Sequence, residues 1–159
     1  MLLFLPFISW GQTDLAELLA KKNTGNIPYI SVEQLKMEVN QTGSLLIFDA
    51  REAEEYQVSH LKNAKAVGFK EFSIKKIEEN YPKKNQEIVV YCSLGIRSEK
   101  IAQKLKNAGY TEVKNLYGGI FEWKNNNFPV VDSTQNETNR IHAYSKKWGK
   151  WLKKGEKVY

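Results

Sequence analysis

The chain has 159 residues, a single-domain length, and its 42% apolar and 12% aromatic content is enough to build one hydrophobic core. Charged residues make up 26% and the formal net charge is +6, but the lysines are scattered except near the C-terminus, so the excess reads as solvated surface and no nucleic-acid partner is expected. With one cysteine, Cys92, an internal disulfide is impossible, and two histidines, His60 and His142, at no ligand spacing to it argue against a metal site.

Met1 to Gly11 differs in composition from the rest. Leu2, Leu3, Phe4, Leu5, Pro6, Phe7 and Ile8 form an apolar run too short to span a bilayer, which takes about 20 residues. Ser9 and Gly11 are small residues where a signal peptidase reads, so 1–11 is taken as a signal-peptide-like segment with Gln12 as the mature start and the missing basic n-region upstream of Met1. Export, to a periplasm, is the expectation, with cytoplasmic residence as the alternative. Residues 12–28 read as a linker with a short helix: Leu15, Leu18 and Leu19 share one face up to Lys22, and Asn23 to Pro28 breaks the pattern.

Tyr29-Ile30 reads as a short strand, and Ser31, with Gln34 three residues on, as the N-cap of a helix carrying Val32, Leu35, Met37 and Val39. Leu45 to Phe48 is the next buried strand, and it delivers Asp49 and Arg51 to its carboxyl end, where open α/β sheets bind ligands. A scaffolding role is favoured for these two, a buried aspartate and an arginine paired with Glu55, over a catalytic one. Ala64 to Val67 is the third strand. Lys70 to Tyr81 reads as a helix with Phe72, Ile77 and Tyr81 facing the core, stopped by Pro82.

Ile88-Val89-Val90-Tyr91 has no polar face, as expected of a central strand buried on both sides. It ends at Cys92-Ser93-Leu94-Gly95-Ile96-Arg97-Ser98, from which Ile101, Ala102 and Leu105 continue at helical spacing to Gly109, a C′ residue. A thiol between a strand end and a helix N-terminus meets unpaired N–H groups and a partial positive charge, both favouring the thiolate. Gly95 lets the loop curl its amides toward the sulfur and Arg97 adds a fixed charge, so the segment is read as an anion-cradling nucleophile loop. The competing reading is a buried, inert cysteine.

Val113 to Leu116 reads as the last strand, and Gly118-Gly119 opens a short helix in which Phe121 and Trp123 pack inward. The alternation implies an α/β fold with a parallel sheet of about five strands covered by helices on both faces. Asp132 to Asn139 is polar and loop-like, so the domain proper spans 29–131 and 132–159 is a basic extension. Ile141, Tyr144, Ser145, Trp148, Trp151 and Leu152 fall at three- and four-residue spacing against Arg140, Lys146, Lys147, Lys150, Lys153 and Lys154, the pattern of an amphipathic basic helix. Such a helix over 140–154 would lie on an anionic membrane surface or a protein partner, or dock its aromatic face onto the domain, which is favoured.

The segment Val89 to Ser98, followed by Ala102, Leu105, Gly109 and Tyr110, resembles the active-site segment of rhodanese-like sulfurtransferases. Phe48-Asp49-Ala50-Arg51-Glu52-Ala53-Glu54-Glu55-Tyr56, then Ser59-His60-Leu61 and Asn63-Ala64, is similar to the family's first signature, and Tyr117-Gly118-Gly119-Ile120-Phe121-Glu122-Trp123, ending at Phe128-Pro129-Val130, to its closing segment. The resemblance covers about residues 29 to 131. It implies a rhodanese-like three-layer fold and a ping-pong sulfur transfer in which Cys92 takes a sulfane sulfur from thiosulfate or a persulfide and hands it to cyanide or a thiol. Ser93, Leu94, Gly95, Ile96, Arg97 and Ser98 would bind the substrate; Asp49, Arg51 and His60 would support the loops, His60 serving as scaffold more than as general base. No cofactor is implied. The alternatives are a non-catalytic partner-binding module and, on a related fold, phosphatase or arsenate-reductase chemistry; relatives with phosphatase activity carry five residues between cysteine and arginine, whereas four separate Cys92 from Arg97. Ser93 and Leu94 stand where strong thiosulfate users can carry basic residues, so weak thiosulfate turnover is expected.

Overall fold

The computed structural model describes residues 10–41 and 43–159, and the apolar run read as an export signal lies outside them. The first helix, α1 (Trp10–Lys22), leads to β1 (Tyr29–Ile30), α2 (Val32–Gln41), β2 (Leu46–Asp49), α3 (Ala53–Val58), β3 (Lys65–Ala66), α4 (Ile74–Asn80), β4 (Ile88–Tyr91), α5 (Arg97–Asn107), β5 (Val113–Leu116) and α6 (Gly119–Asn125). The strands β1 to β5 form a parallel sheet of order β1-β5-β4-β2-β3. From β2 the chain moves outward to β3, and from β4 it moves the other way to β5. The crevice at the carboxyl ends of β2 and β4 is therefore a topological switch point, and Cys92 is the first residue after β4.

Alternation along β4 explains why the sheet is covered twice. Val89 and Tyr91 join the core formed with Leu15, Leu19, Val32, Leu35, Phe121 and Trp123 from α1, α2 and α6. Ile88 and Val90 join the opposite core with Ile77, Ile101, Ala102 and Leu105 from α4 and α5. All four β4 residues are buried, as the unbroken apolar run requires. Ser31 caps α2 by accepting from the Gln34 amide at 3.1 Å. The helix predicted over Lys70 to Tyr81 is shorter, because Ser73 is its N-cap and the residues before it are turn; Phe72 and Tyr81 still pack on the core beside Ile77. The segment expected to be a linker is fastened down: Leu15, Leu19 and Ile27 are buried, and Asn23 and Thr24 reach the nucleophile loop and α5.

The C-terminal extension departs from expectation. In place of one amphipathic helix over 140–154 the chain forms β8 (Arg140–His142), a single turn α7 (Lys146–Gly149) and β9 (Glu156–Val158), with β8 and β9 paired in parallel. They follow a hairpin of β6 (Val130–Val131) and β7 (Glu137–Thr138), whose connection is closed by the Asp132 carboxylate accepting from the Thr134 and Asn136 amides. Ser145 stops the strand by capping α7, and the helix ends after one turn at Gly149. Ile141 and Ala143 follow the two-residue period of a strand and are buried with Leu152 in the same core as Val89, while Trp148 and Trp151 pack against it. Asn125 of α6 ties the extension down, donating to the Trp151 carbonyl and accepting from the Lys153 amide. Ile141, Ala143 and Leu152 are thus used within the chain.

Candidate active site

The Cys92 loop is built by hydrogen bonds from three elements. The first amides of α6 grip it from below: Ile120 N–H donates to the Cys92 carbonyl at 2.9 Å and Phe121 N–H to that of Ser93 at 3.1 Å. This approach needs Gly119, whose backbone is left-handed (φ 56°) and where a Cβ would overlap the Cys92 carbonyl oxygen and lie 2.7 Å from that of Ser93. From β5, the buried Asn115 donates to the Gly95 carbonyl at 2.8 Å and accepts from Ser98 Oγ at 2.7 Å. Asn23, at the end of α1, donates to the same Gly95 carbonyl at 2.9 Å. With φ at 106°, Gly95 turns its own amide onto the sulfur, 3.1 Å from Cys92 Sγ.

Cys92 is 2% exposed, so the thiol is recessed at the floor of a cavity and not held out on an exposed loop. Burial pushes its pKa up; the Arg97 charge, the Ser98 hydroxyl and the amides of Ser98 and Gly95 together outweigh burial and hold the thiol below its ordinary value. Ser98 Oγ lies 3.4 Å from the sulfur and 2.7 Å from Asn115 Oδ1, so its one proton can serve only one of these two acceptors at a time.

Arg97 is held in place, as a fixed charge requires, by partners the sequence did not identify. Its guanidinium donates to both Glu55 carboxylate oxygens at 2.7 Å and to Ser93 Oγ at 3.1 Å. Glu55 is held in turn by the Glu52 amide at the start of α3. Burial raises the Glu55 pKa, and the bonds and charge of Arg97 more than reverse this, leaving the carboxyl below its usual range. The predicted Arg51–Glu55 pair is therefore corrected. Arg51 instead binds Asp49 at 2.7 Å and the Ser59 carbonyl at 2.7 Å, fully buried, and Tyr91 Oη donates to the same Asp49 at 2.5 Å. Glu55, in the first turn of α3, bonds Arg97, while Arg51 is taken by the aspartate two residues before it.

Of the predicted site residues, Cys92, Ser93, Leu94, Ile96 and Arg97 line one cavity of about 150 Å³, and Gly95 and Ser98 bond the sulfur behind it. Asp49, Arg51 and His60 bind other groups. The His60 ring donates from Nδ1 to the Tyr56 carbonyl at 3.0 Å, stacks on Tyr56 at 3.7 Å, and faces Gln135 with Nε2, while its backbone bridges to Val131. Sequence reasoning missed Asn115 and the two extension residues in the cavity wall, Tyr144 and Trp148. A buried asparagine in a core strand was a readable signal, since such a residue needs partners; nothing in the pattern of the extension distinguished Tyr144.

The profile of the rhodanese-like domain matches residues 31–126. The thiosulfate sulfurtransferase GlpE of Coxiella burnetii is 33% identical over 101 residues, 62% of this chain and 89% of the relative. The YrkF protein of Bacillus subtilis and the tRNA uridine(34) hydroxylase of Escherichia fergusonii are each 35% identical over 104 residues, but this chain spans only 55% and 29% of their lengths. Among solved structures, the fold is shared with a protein from Bacillus halodurans (TM-score 0.61, 22% identity, 77% of this chain and 87% of that one). It is also shared with a thiosulfate sulfurtransferase from Pseudomonas aeruginosa (TM-score 0.64, 22% identity, 89% of this chain and 26% of that one). The parallel sheet, the loop after β4 and these matches place the chain in the rhodanese-like domain family.

Proposed function

We propose that the protein is a sulfurtransferase that carries a sulfane sulfur on Cys92. The observation that bears this reading is the sulfur's environment: a buried thiol held below its ordinary pKa by the Gly95 and Ser98 amides, the Ser98 hydroxyl and Arg97, open to a small cavity. The thiolate attacks the outer sulfur of a donor, the donor's bond to that sulfur breaks with its electron pair leaving on the donor, and a persulfide remains on Cys92. The amides that favour the thiolate are already fixed by the loop, so the nucleophile is presented to the donor without rearrangement. A thiophilic acceptor, cyanide or a thiol, then removes it and restores the thiolate. The likeness to the Coxiella burnetii thiosulfate sulfurtransferase, of which this chain covers 89%, supports the same class of reaction. The test is thiocyanate formation from cyanide with Cys92→Ser beside the unaltered protein. Serine fills nearly the same space, so the variant should keep its circular dichroism spectrum and lose at least about a thousandfold in rate. Retained turnover would refute a role for the sulfur.

A further inference from the structure

The cavity beside Cys92 is walled by Leu94, Ile96, Tyr144 and Trp148, so it is largely hydrocarbon. Two of those four residues come from the extension, beyond the 31–126 stretch matched to the family. Arg97 is the one cation among the described residues of the lining. Its charge is matched by the two bonds to Glu55, and its guanidinium is covered by the Tyr144 ring at 4.8 Å. A dianion such as thiosulfate would approach a thiolate where the one cation, Arg97, is already shared between Glu55 and the Cys92 sulfur, so like charges would face each other with little left to offset them.

Tyr144 is 51% exposed, and its backbone is held in place. Its backbone is left-handed (φ 66°), and its amide donates to His142 Nδ1 at 3.0 Å. Trp148 is set by α7, where its amide donates to the Ser145 cap. The volume of about 150 Å³ matches that of a protein cavity that takes up a benzene-sized molecule.

Resting on the sulfur-transfer reading above, we propose that the donor is an organic sulfane compound whose apolar group occupies the recess formed by Leu94, Ile96, Tyr144 and Trp148, with Tyr144 and Trp148 as the specificity-determining residues. For an organic persulfide R–S–SH, the Cys92 thiolate bonds to the outer sulfur and the S–S bond breaks. Its electron pair leaves as R–S⁻ and the proton stays on the transferred sulfur. Charge balances, and neither oxidant nor reductant is needed.

Three probes carry the same transferable sulfur on a sulfonyl sulfur: thiosulfate, methanethiosulfonate and benzenethiosulfonate. Each kcat/KM is divided by the probe's rate with a small free thiol, which removes intrinsic reactivity. The unaltered protein should favour the benzene over the methane compound by at least tenfold and use thiosulfate least. Tyr144→Asn, which tolerates the left-handed backbone but lacks the ring, should bring the benzene-to-methane ratio below threefold, and Tyr144→Phe should keep it. A ratio near one in the unaltered protein, a preference for thiosulfate, or a ratio that survives Tyr144→Asn would overturn the inference while leaving sulfur transfer standing. If none of the probes adds sulfur to the protein by intact mass, the sulfur-transfer reading falls, and the inference with it.

Discussion

At the scale of single residues, the chemistry is set by what surrounds one sulfur and one carboxylate. The Cys92 pKa is lowered from its ordinary value because the Arg97 charge, the Ser98 hydroxyl and the loop amides outweigh burial, so alkylation should show a midpoint on the acid side of that of an unperturbed cysteine. Ser98→Ala removes one hydroxyl donor to the sulfur and should move the midpoint upward, read as iodoacetamide labelling against pH; an unchanged midpoint would mean that the hydroxyl stays with Asn115. Glu55 has a depressed pKa, so its carboxylate stabilises the fold at pH above its unfolded value of about 4.3 and loses that contribution as pH falls through the lower folded value. Glu55→Gln leaves the mostly buried Arg97 without its counter-charge and should cost about 2–4 kcal/mol at pH 7 in urea unfolding. The gap to the unaltered protein should narrow at pH 3. An equal gap at both pH values would contradict the ion pair.

At the scale of elements, the loop is held from outside itself. α6 presents two amides to it, and Gly119 permits the contact, so Gly119→Ala should cost at least about 2 kcal/mol through a strained backbone and a displaced Cys92 carbonyl, with sulfur transfer falling alongside. The β8–α7–β9 extension buries Ile141 and Leu152 completely. Ile141→Ala should cost about 2–4 kcal/mol by denaturant unfolding, whereas an extension standing in solvent would lose about 0.5 kcal/mol or less. The central strand, the nucleophile loop and α6 were readable in the sequence, because each rests on local chemistry: a β-branched run, a glycine-bearing loop before a helical period, and a glycine pair. The extension was not. Its aromatic spacing fits a helix, but Ile141 pairs with Lys157, a partner invisible to any periodicity counted along one segment.

At the scale of the whole molecule, the sheet topology brings Asp49, Arg51 and Cys92 to one edge, as the sequence implies, yet the charges there are divided by packing. Asp49 holds Arg51 and Tyr91 beneath the crevice, and Glu55 holds Arg97 beside the sulfur. Which arginine meets which carboxylate depends on how α3 lies against α5, and spacing alone could not decide it. The N-terminal helix and the C-terminal extension both reach the same loop, through Asn23 and through Tyr144 and Trp148, so the site is completed by chain outside the matched domain. Whether Cys92 carries the sulfur is read most directly from the intact mass of the protein after exposure to a sulfane donor, followed by cyanide. One added sulfur atom is expected, removed by cyanide with thiocyanate released and absent in Cys92→Ser. An unchanged mass after every donor, or the same addition in Cys92→Ser, would show that Cys92 is not the carrier.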